Sequence, residues 1–391
     1  MPLKISAPDF LDLSSLLSEE EIAIQNMTHD WVKERFRPLV RDHYRAGTFP
    51  FELKEEMGKM GFFGSTLPEK YGTPAINNVA YGLMMEELER GDSGLRSFAS
   101  VQGALVMWPI EHYGSSDQKQ KWLPLLASGA KIGCFGLTEP DFGSNPGGLI
   151  TRVRTEEGQF VLNGAKMWIT NSSVADVALV WAKDESGEIG GYLIERGTSG
   201  FSTPEIHGKL SLRASITGEI VLDDCRIPLD AKLPDAIGLK APLSCLNQAR
   251  YGINWGAIGV AIDCYEEALS YAKTRIQFDK PIAAFQLTQQ KLANMLNEIT
   301  KAQFLTLQLG RLKDSSRMHH TQVSLTKMNN VKMALDIARS ARTILGASGI
   351  TDEYSVMRHA SNLESVLTYE GTHEMHTLVV GESITGIPAY R

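Results

Sequence analysis

The sequence predicts an α+β chain, mostly α, in which a helical segment, a β segment and a second helical segment follow one another. Apolar residues recur at 3.6-residue spacing over the first part of the chain and again after about residue 240. Between those parts the pattern changes to short β-rich runs separated by turn residues. Strands do not alternate with helices, which disfavours a doubly wound parallel sheet, where each strand is followed by its own helix. The expected division is an N-terminal α-helical domain over 1–131, a middle β domain over 132–235 and a C-terminal α-helical bundle over 236–391.

Ser18 and Glu21 have capping-box spacing, and Ile24, Met27, Trp31, Val32 and Phe36 follow on one helical face until Pro38, which is expected to end that helix. Helices follow at 53–60, 79–90, 98–112 and 117–127, punctuated by Tyr71-Gly-Thr-Pro74 and Gly91-Asp92. Strands are expected at 149–155, 160–162, 177–181, 191–194 and 220–222, with the β segment ending near Pro234. The last part reads as helices at 243–276, 286–313, 324–345, 357–368 and from 372 to about 384.

A chain of 391 residues can bury a large core without staples. Its charge sum, 39 − 46 = −7, leaves no massed cations to neutralise a phosphate backbone, so nucleic acid is not an expected partner. Cys134, Cys225, Cys245 and Cys264 lie far apart without a CxxC pair, against both a zinc site and a disulfide framework, and for a reduced compartment. The stretch from Met1 to Phe10 lacks a signal-peptide core, no window reaches about 18 uninterrupted apolar residues, and no Arg-rich transit peptide is present. The expected location is cytoplasmic, or the mitochondrial matrix for a processed chain, without membrane insertion. GxGxxG, P-loop, HExxH and GxSxG motifs are absent. His373-Glu-Met-His376 is one residue short of a zincin motif, and two His three apart on one helix face ordinarily pack or solvate, so no metal is expected.

Four stretches suit chemistry. In Phe135-Gly-Leu-Thr-Glu-Pro-Asp-Phe-Gly-Ser144-Asn-Pro-Gly-Gly148, Gly136 and Gly143 let backbone N–H groups approach a ligand, and Thr138 and Ser144 add hydroxyls. The run equally suits a Gly/Pro-rich linking loop. In Lys166-Met-Trp-Ile-Thr170-Asn, Trp168 can cover a planar ring while Thr170 bonds its edge, or Trp168 can be core and Thr-Asn a turn. Leu367-Thr-Tyr-Glu370-Gly-Thr-His-Glu places a carboxylate between Tyr369 and Gly371, where partial desolvation would make it a stronger base, although most Glu residues are solvated. Arg275-Ile-Gln-Phe-Asp-Lys-Pro281 is a helix end running into a turn, with a C-capping Arg as the plainer reading.

Taken together, in this order and spacing, these stretches resemble the motifs of the acyl-CoA dehydrogenase family of flavoproteins over essentially the whole chain. Ser211-Leu-Arg-Ala-Ser-Ile-Thr-Gly218, Leu246-Asn-Gln-Ala-Arg-Tyr-Gly252, Gln308-Leu-Gly-Arg-Leu-Lys-Asp314 and Thr368-Tyr-Glu-Gly-Thr-His373 look like the family's glutaryl-CoA dehydrogenase branch. The resemblance implies an N-terminal helical domain, a middle β domain and a C-terminal four-helix bundle. It implies FAD as cofactor, held by Phe135, Gly136, Leu137, Thr138, Gly143 and Ser144, by Trp168, Ile169 and Thr170 beside the ring, and by Thr372. It further implies that a neighbouring subunit completes the site with Arg275, Phe278, Gln286, Leu345 and Gly346, hence a homo-oligomer, a tetramer. Two departures are Asp279, where the family usually has Gly, and Ala347-Ser348, where Gly-Asn is commoner; Asp279 is expected to face solvent.

The family's base lies either in the late Tyr-Glu-Gly motif or near residue 249, and Ala249 carries no carboxylate, so the resemblance points to Glu370. Arg96 stands where the glutaryl branch binds the substrate's distal carboxylate. A buried Arg is costly without an anion, so a dicarboxylic acyl group accounts for it; a salt bridge to Glu89 or Asp92 is the alternative. Glu89, Ser97 and Tyr369 match the decarboxylating branch, while Leu246, Asn247, Arg250, Ser144 and Gly371 complete the substrate side, with Arg250 and Ser144 towards CoA. The implied reaction converts glutaryl-CoA to crotonyl-CoA and CO2, with electrons leaving through an electron-transfer flavoprotein. A non-decarboxylating enzyme forming glutaconyl-CoA, another short-chain acyl-CoA dehydrogenase, an acyl-CoA oxidase and an inactive flavin- or CoA-binding scaffold are the alternatives.

Overall fold

The computed structural model describes residues 8–390, so the Met1-to-Ala7 part of the segment read for a signal peptide lies outside the described residues. The first helix, α1 (Glu19–Trp31), starts at the expected capping box: Glu21 N–H donates to Ser18 Oγ at 3.2 Å and Ser18 N–H to Glu21 Oε2 at 2.8 Å. Pro38 does not end the helix. A π-helical turn, Val32–Phe36, leads into α2 (Arg37–Ala46), and Pro38 falls in the first turn of α2, where its missing N–H is not needed.

The short α3 (Lys54–Lys59) precedes α4 (Asn78–Gly91). The next helix, α5 (Ser93–Ser100), begins at Ser93 rather than 98, because the Asp92 side chain caps it by accepting from Gly94 N–H at 2.7 Å. It runs through a π segment, Val101–Met107, into α6 (Trp108–Tyr113), and α7 (Ser116–Ala127) closes the helical part.

A mixed sheet follows, formed by β1 (Gly133–Gly136), β2 (Arg152–Glu156), β3 (Gln159–Thr170), β4 (Val177–Lys183), β5 (Ile189–Glu195), β6 (Phe201–Ser202), β7 (Thr217–Pro228) and β8 (Lys232–Ile237). Its order is β6-β7-β3-β2-β4-β5-β8, with β1 parallel to β4. The strand expected at 160–162 is far longer, because register shifts at 162/164 and 166/169 break the period-2 pattern that marks a strand in sequence. β1 escapes notice because it is four residues long and buried throughout, so nothing alternates.

The C-terminal part is α8 (Lys240–Thr274), a hairpin of β9 (Ile276–Gln277) and β10 (Lys280–Pro281), then α9 (Gln286–Asp314), α10 (His320–Leu345), α11 (Val356–Thr368) and α12 (His373–Thr385). Phe278 and Asp279 form the hairpin's two-residue turn at φ 50 and 61. Asp tolerates that left-handed position better than most residues, and Asp279 is exposed as expected.

The helix α8 lies between α10 and α4. Gly256 permits the α4 approach, since a Cβ there would stand 1.8 Å from Glu89 Oε2. Helices α8 and α10 are tied by Asn330 Nδ2 to the Asn254 carbonyl at 2.9 Å.

Candidate active site

Glu370 lies in the short connection between α11 and α12, at φ 53 and followed by Gly371 at φ 97. Arg250 on α8 donates its Nε to the Glu370 carbonyl at 2.6 Å and its Nη1 to Asn247 Oδ1 at 3.3 Å. Lys327 on α10 donates its Nζ to the Tyr369 carbonyl at 2.5 Å and to the Gly371 carbonyl at 2.7 Å. Thr372 caps α12, its Oγ accepting from Met375 N–H at 3.2 Å. Glu370 Oε2 is buried and has no hydrogen-bond partner among the described residues. A carboxylate oxygen so left is free to take a proton from a ligand.

Arg96 reaches the same place from α5. Its Nε donates to Glu89 Oε2 at 2.7 Å, with both side chains sealed from solvent, and its Nη2 donates to the Tyr369 hydroxyl. The anion that burial of Arg96 demands is therefore supplied by the chain itself. Asp92, the other candidate, is engaged by Arg358 and by Asn362 Nδ2. Burial of Arg96 by itself therefore does not call for a dicarboxylic substrate. Ser97 is buried beside Arg96 on α5, and Leu246 and Asn247 are half-buried at the start of α8.

Burial pushes the Glu370 carboxyl above the usual carboxylate range, although Arg96, Lys327 and Arg250 act against it. Burial likewise pulls the Lys327 ammonium down to about 7, with Glu370 opposing. For Arg96, burial disfavours the cation, but Glu89 and Tyr369 more than compensate, and its pKa rises. With Glu370, Glu89, Arg96, Arg250 and Lys327 ionised, the cluster carries 3 − 2 = +1. The hydrogen bonds of Arg250 and Lys327 go to neutral oxygens. Such a cluster attracts an anion.

The two stretches expected to hold a flavin meet in the β part. Met167 N–H donates to the Thr138 carbonyl at 2.9 Å, and Lys166 Nζ donates to the Leu137 carbonyl at 3.2 Å and to Glu139 Oε1 at 2.8 Å. Phe135 and Leu137 pack in the core, so they and Gly136 have only backbone groups to offer. Thr138 and Thr170 are half-buried and Ile169 is buried. Trp168 sits at the second register shift of β3 at φ 64 and is 57% exposed. An uncovered indole beside two hydroxyls fits the face and edge of a planar ring system such as the flavin of FAD. Gly143 and Ser144 are exposed in the loop after β1.

Arg275, Phe278 and Gln286 are all exposed and lie elsewhere. From Arg250 to the end of α8 at Thr274 is roughly 36 Å at 1.5 Å per residue. Since α8 and α10 run side by side in one direction from Asn254 and Asn330, Leu345 and Gly346 share that far end. Leu345 is buried and Gly346 is exposed.

Sequence reasoning missed four residues. Lys327 stands in the buried stripe Val323, Lys327, Val331 of α10, and a lysine interrupting an apolar face was the available signal. Glu139 and Lys166 lay inside quoted motifs but carry their meaning only as a buried pair. Tyr81 has a buried hydroxyl without a partner among the described residues, and burial pushes its pKa up to about 12. Among the described residues no group of three or more metal-ligating side chains occurs. His376 Nδ1 meets Ser324 Oγ at 3.0 Å.

Models of the acyl-CoA dehydrogenase N-terminal, middle and C-terminal domains match residues 18–130, 134–225 and 237–385. The chain belongs to the acyl-CoA dehydrogenase family. Among relatives in the family, the human mitochondrial short-chain specific acyl-CoA dehydrogenase is 32% identical over 93% of this chain and 90% of its own. A glutaryl-CoA dehydrogenase from Mycobacterium smegmatis, solved in complex with FADH2, is 53% identical, with a TM-score of 0.97 over 98% of this chain and 100% of its own. The butyryl-CoA dehydrogenase from Megasphaera elsdenii is 31% identical, with a TM-score of 0.90 over 94% and 98%. No helix among the described residues is long and apolar enough to cross a membrane.

Proposed function

We propose that this acyl-CoA dehydrogenase oxidises glutaryl-CoA and decarboxylates the product to crotonyl-CoA. The observation that carries this reading is the Arg96 guanidinium bonded to the Tyr369 hydroxyl next to Glu370, whose buried carboxylate oxygen Oε2 has no partner among the described residues. The likeness to the Mycobacterium smegmatis glutaryl-CoA dehydrogenase supports the same substrate.

FAD is the cofactor; when bound between the 138–139 and 168–170 stretches it supplies the two-electron oxidant that accepts a hydride from the substrate's β carbon. Glu370 removes the α proton, and its own backbone N–H helps to stabilise the thioester enolate oxygen. Arg96 retains N–H donors beyond those bound to Glu89 and Tyr369, and these bind the distal carboxylate. The unsaturated product then loses that carboxylate as CO2, and the protonated Glu370 returns its proton to the γ carbon. Ser97, Glu89, Tyr369, Leu246, Asn247 and Gly371 line the acyl end; Arg250 and Ser144 face CoA. The exposed Arg275, Phe278 and Gln286, with Leu345 and Gly346, are too far along the bundle to serve the Glu370 end of their own chain. They complete the cofactor site of a neighbour in a homotetramer. An electron-transfer flavoprotein takes the electrons.

A second reading, a short-chain enzyme for unsubstituted acyl groups, is favoured by the Arg96–Glu89 pair, which already neutralises the guanidinium, and by the short-chain relatives. Mass analysis of products from glutaryl-CoA with an artificial electron acceptor separates these readings. Crotonyl-CoA supports the proposal, glutaconyl-CoA makes the enzyme non-decarboxylating, and unchanged glutaryl-CoA beside oxidised butyryl-CoA selects the short-chain reading.

A further inference from the structure

Three consecutive carbonyls, those of residues 369, 370 and 371, all accept hydrogen bonds from two buried cations, Lys327 and Arg250. The residue at their centre, Glu370, has a left-handed backbone that a non-glycine residue adopts only at a cost of about 1 kcal/mol. Lys327 is 2% exposed. Placing an ammonium there is unfavourable unless its environment offsets the lost hydration, and its hydrogen bonds go to the two backbone oxygens. An apolar residue would continue the Val323 and Val331 stripe without that penalty.

We propose that Lys327 is a positioning residue for the base: by bonding the carbonyls on both sides of Glu370 it holds the left-handed turn that presents the carboxylate, and it sets a cation beside it. This rests on the reading of Glu370 as base. If the turn relaxed to an ordinary backbone, these carbonyls would lose their donors inside a sealed site and the carboxylate would swing away from Arg96. The other groups facing the turn are Arg250 from α8, Arg96 from α5, Glu89 and Tyr81 from α4, and His376 from α12. Burial, Lys327 and Arg250 drive His376 down to about 2, so it stays neutral and does not duplicate the lysine. Lys327 is thus the cation bonded to both flanks of the base.

The test uses FAD-loaded Lys327→Met and Lys327→Gln, with Glu370→Gln in parallel, read by anaerobic flavin bleaching with glutaryl-CoA, or with butyryl-CoA should the wild type prefer it. Lys327→Met is expected to keep its flavin and to lose on the order of 10–100-fold in reduction rate through misplacement of the base. Its acid limb moves to higher pH, because removing a nearby cation disfavours the carboxylate. Lys327→Gln, which retains N–H donors without the charge, recovers part of the rate but keeps the displaced limb. Wild-type rate and acid limb in either flavin-bearing variant overturn the proposal. So does loss of flavin and fold in both, which would make Lys327 a structural pin. Bleaching of Glu370→Gln would instead remove the base reading itself, whatever Lys327 does.

Discussion

Arg96 Nε and Glu89 Oε2 lie 2.7 Å apart with both side chains closed off from water, so the cation at the acyl end is balanced before any substrate arrives. Glu89 Oε1 has no partner among the described residues, which leaves the pair half-satisfied. Breaking such a pair from one side strands the other charge and costs about 3–5 kcal/mol. Arg96→Met is therefore expected to lower the stability measured by urea unfolding by that order. Arg96→Met combined with Glu89→Gln should recover most of it; an equal loss in the double variant would show that the two side chains are not an energetic pair.

On the proposed reading the same cation distinguishes substrates. For Arg96→Lys, which keeps charge but loses the planar fork, kcat/KM for glutaryl-CoA is expected to drop about tenfold or more relative to butyryl-CoA. Parallel losses on both would remove the carboxylate role.

Glu370→Gln should retain the yellow flavin and lose at least about 10²–10⁴-fold in flavin reduction, the range ordinarily carried by a positioned base. In the unaltered enzyme the base must be ionised to act, and burial raises its pKa. Hence the acid limb of kcat is expected above the ordinary Glu value of about 4.3; a limb at or below that value would contradict a buried base.

Lys166 joins the two stretches proposed to hold the flavin, bonding the Leu137 carbonyl and Glu139, whose other oxygen accepts from Ile150 N–H at 2.7 Å. Lys166→Met should loosen both stretches at once. We expect FAD content after gel filtration to fall, with added FAD restoring activity at high concentration; undiminished flavin retention would separate this ion pair from the cofactor.

Acid stability has a different source. Burial pushes the Asp263 carboxyl up, but bonds from His359 at 3.1 Å and Ser355 at 2.6 Å, together with Arg37, hold it well below the usual carboxylate range. A depressed folded-state pKa gives stability that is complete above the unfolded value of about 3.9 and is lost as pH falls through the lower folded value. Asp263→Asn is expected to cost about 3–5 kcal/mol at pH 7 and to flatten the acid arm of a Tm-against-pH curve. An unchanged acid arm would assign that stability to other carboxylates.

The helical parts were legible because long helices repeat one apolar face many times; 286–313 and 357–368 differ from α9 and α11 by a single residue at an end. Pro38 misled because a local rule assigned it a stop, whereas the π turn before it placed the ring where no N–H is required. The strands were less legible because β3 changes register twice and so never shows one unbroken alternation. Those same irregularities expose Trp168 and bury Lys166.

By itself the sequence determined the order of helical and β parts, the family resemblance and the candidacy of Glu370 and Arg96, because each is written in residues close together in the chain. Tertiary structure alone decided what those residues meet. Glu89 pairs with Arg96 from seven positions away on a different helix, Arg250 reaches Glu370 across 120 residues, and Lys327 reaches Tyr369 across 42. The physical reason is that the energy of a buried charge depends on its partners in space, and a one-dimensional pattern of charges and apolar residues does not specify them until the helices pack.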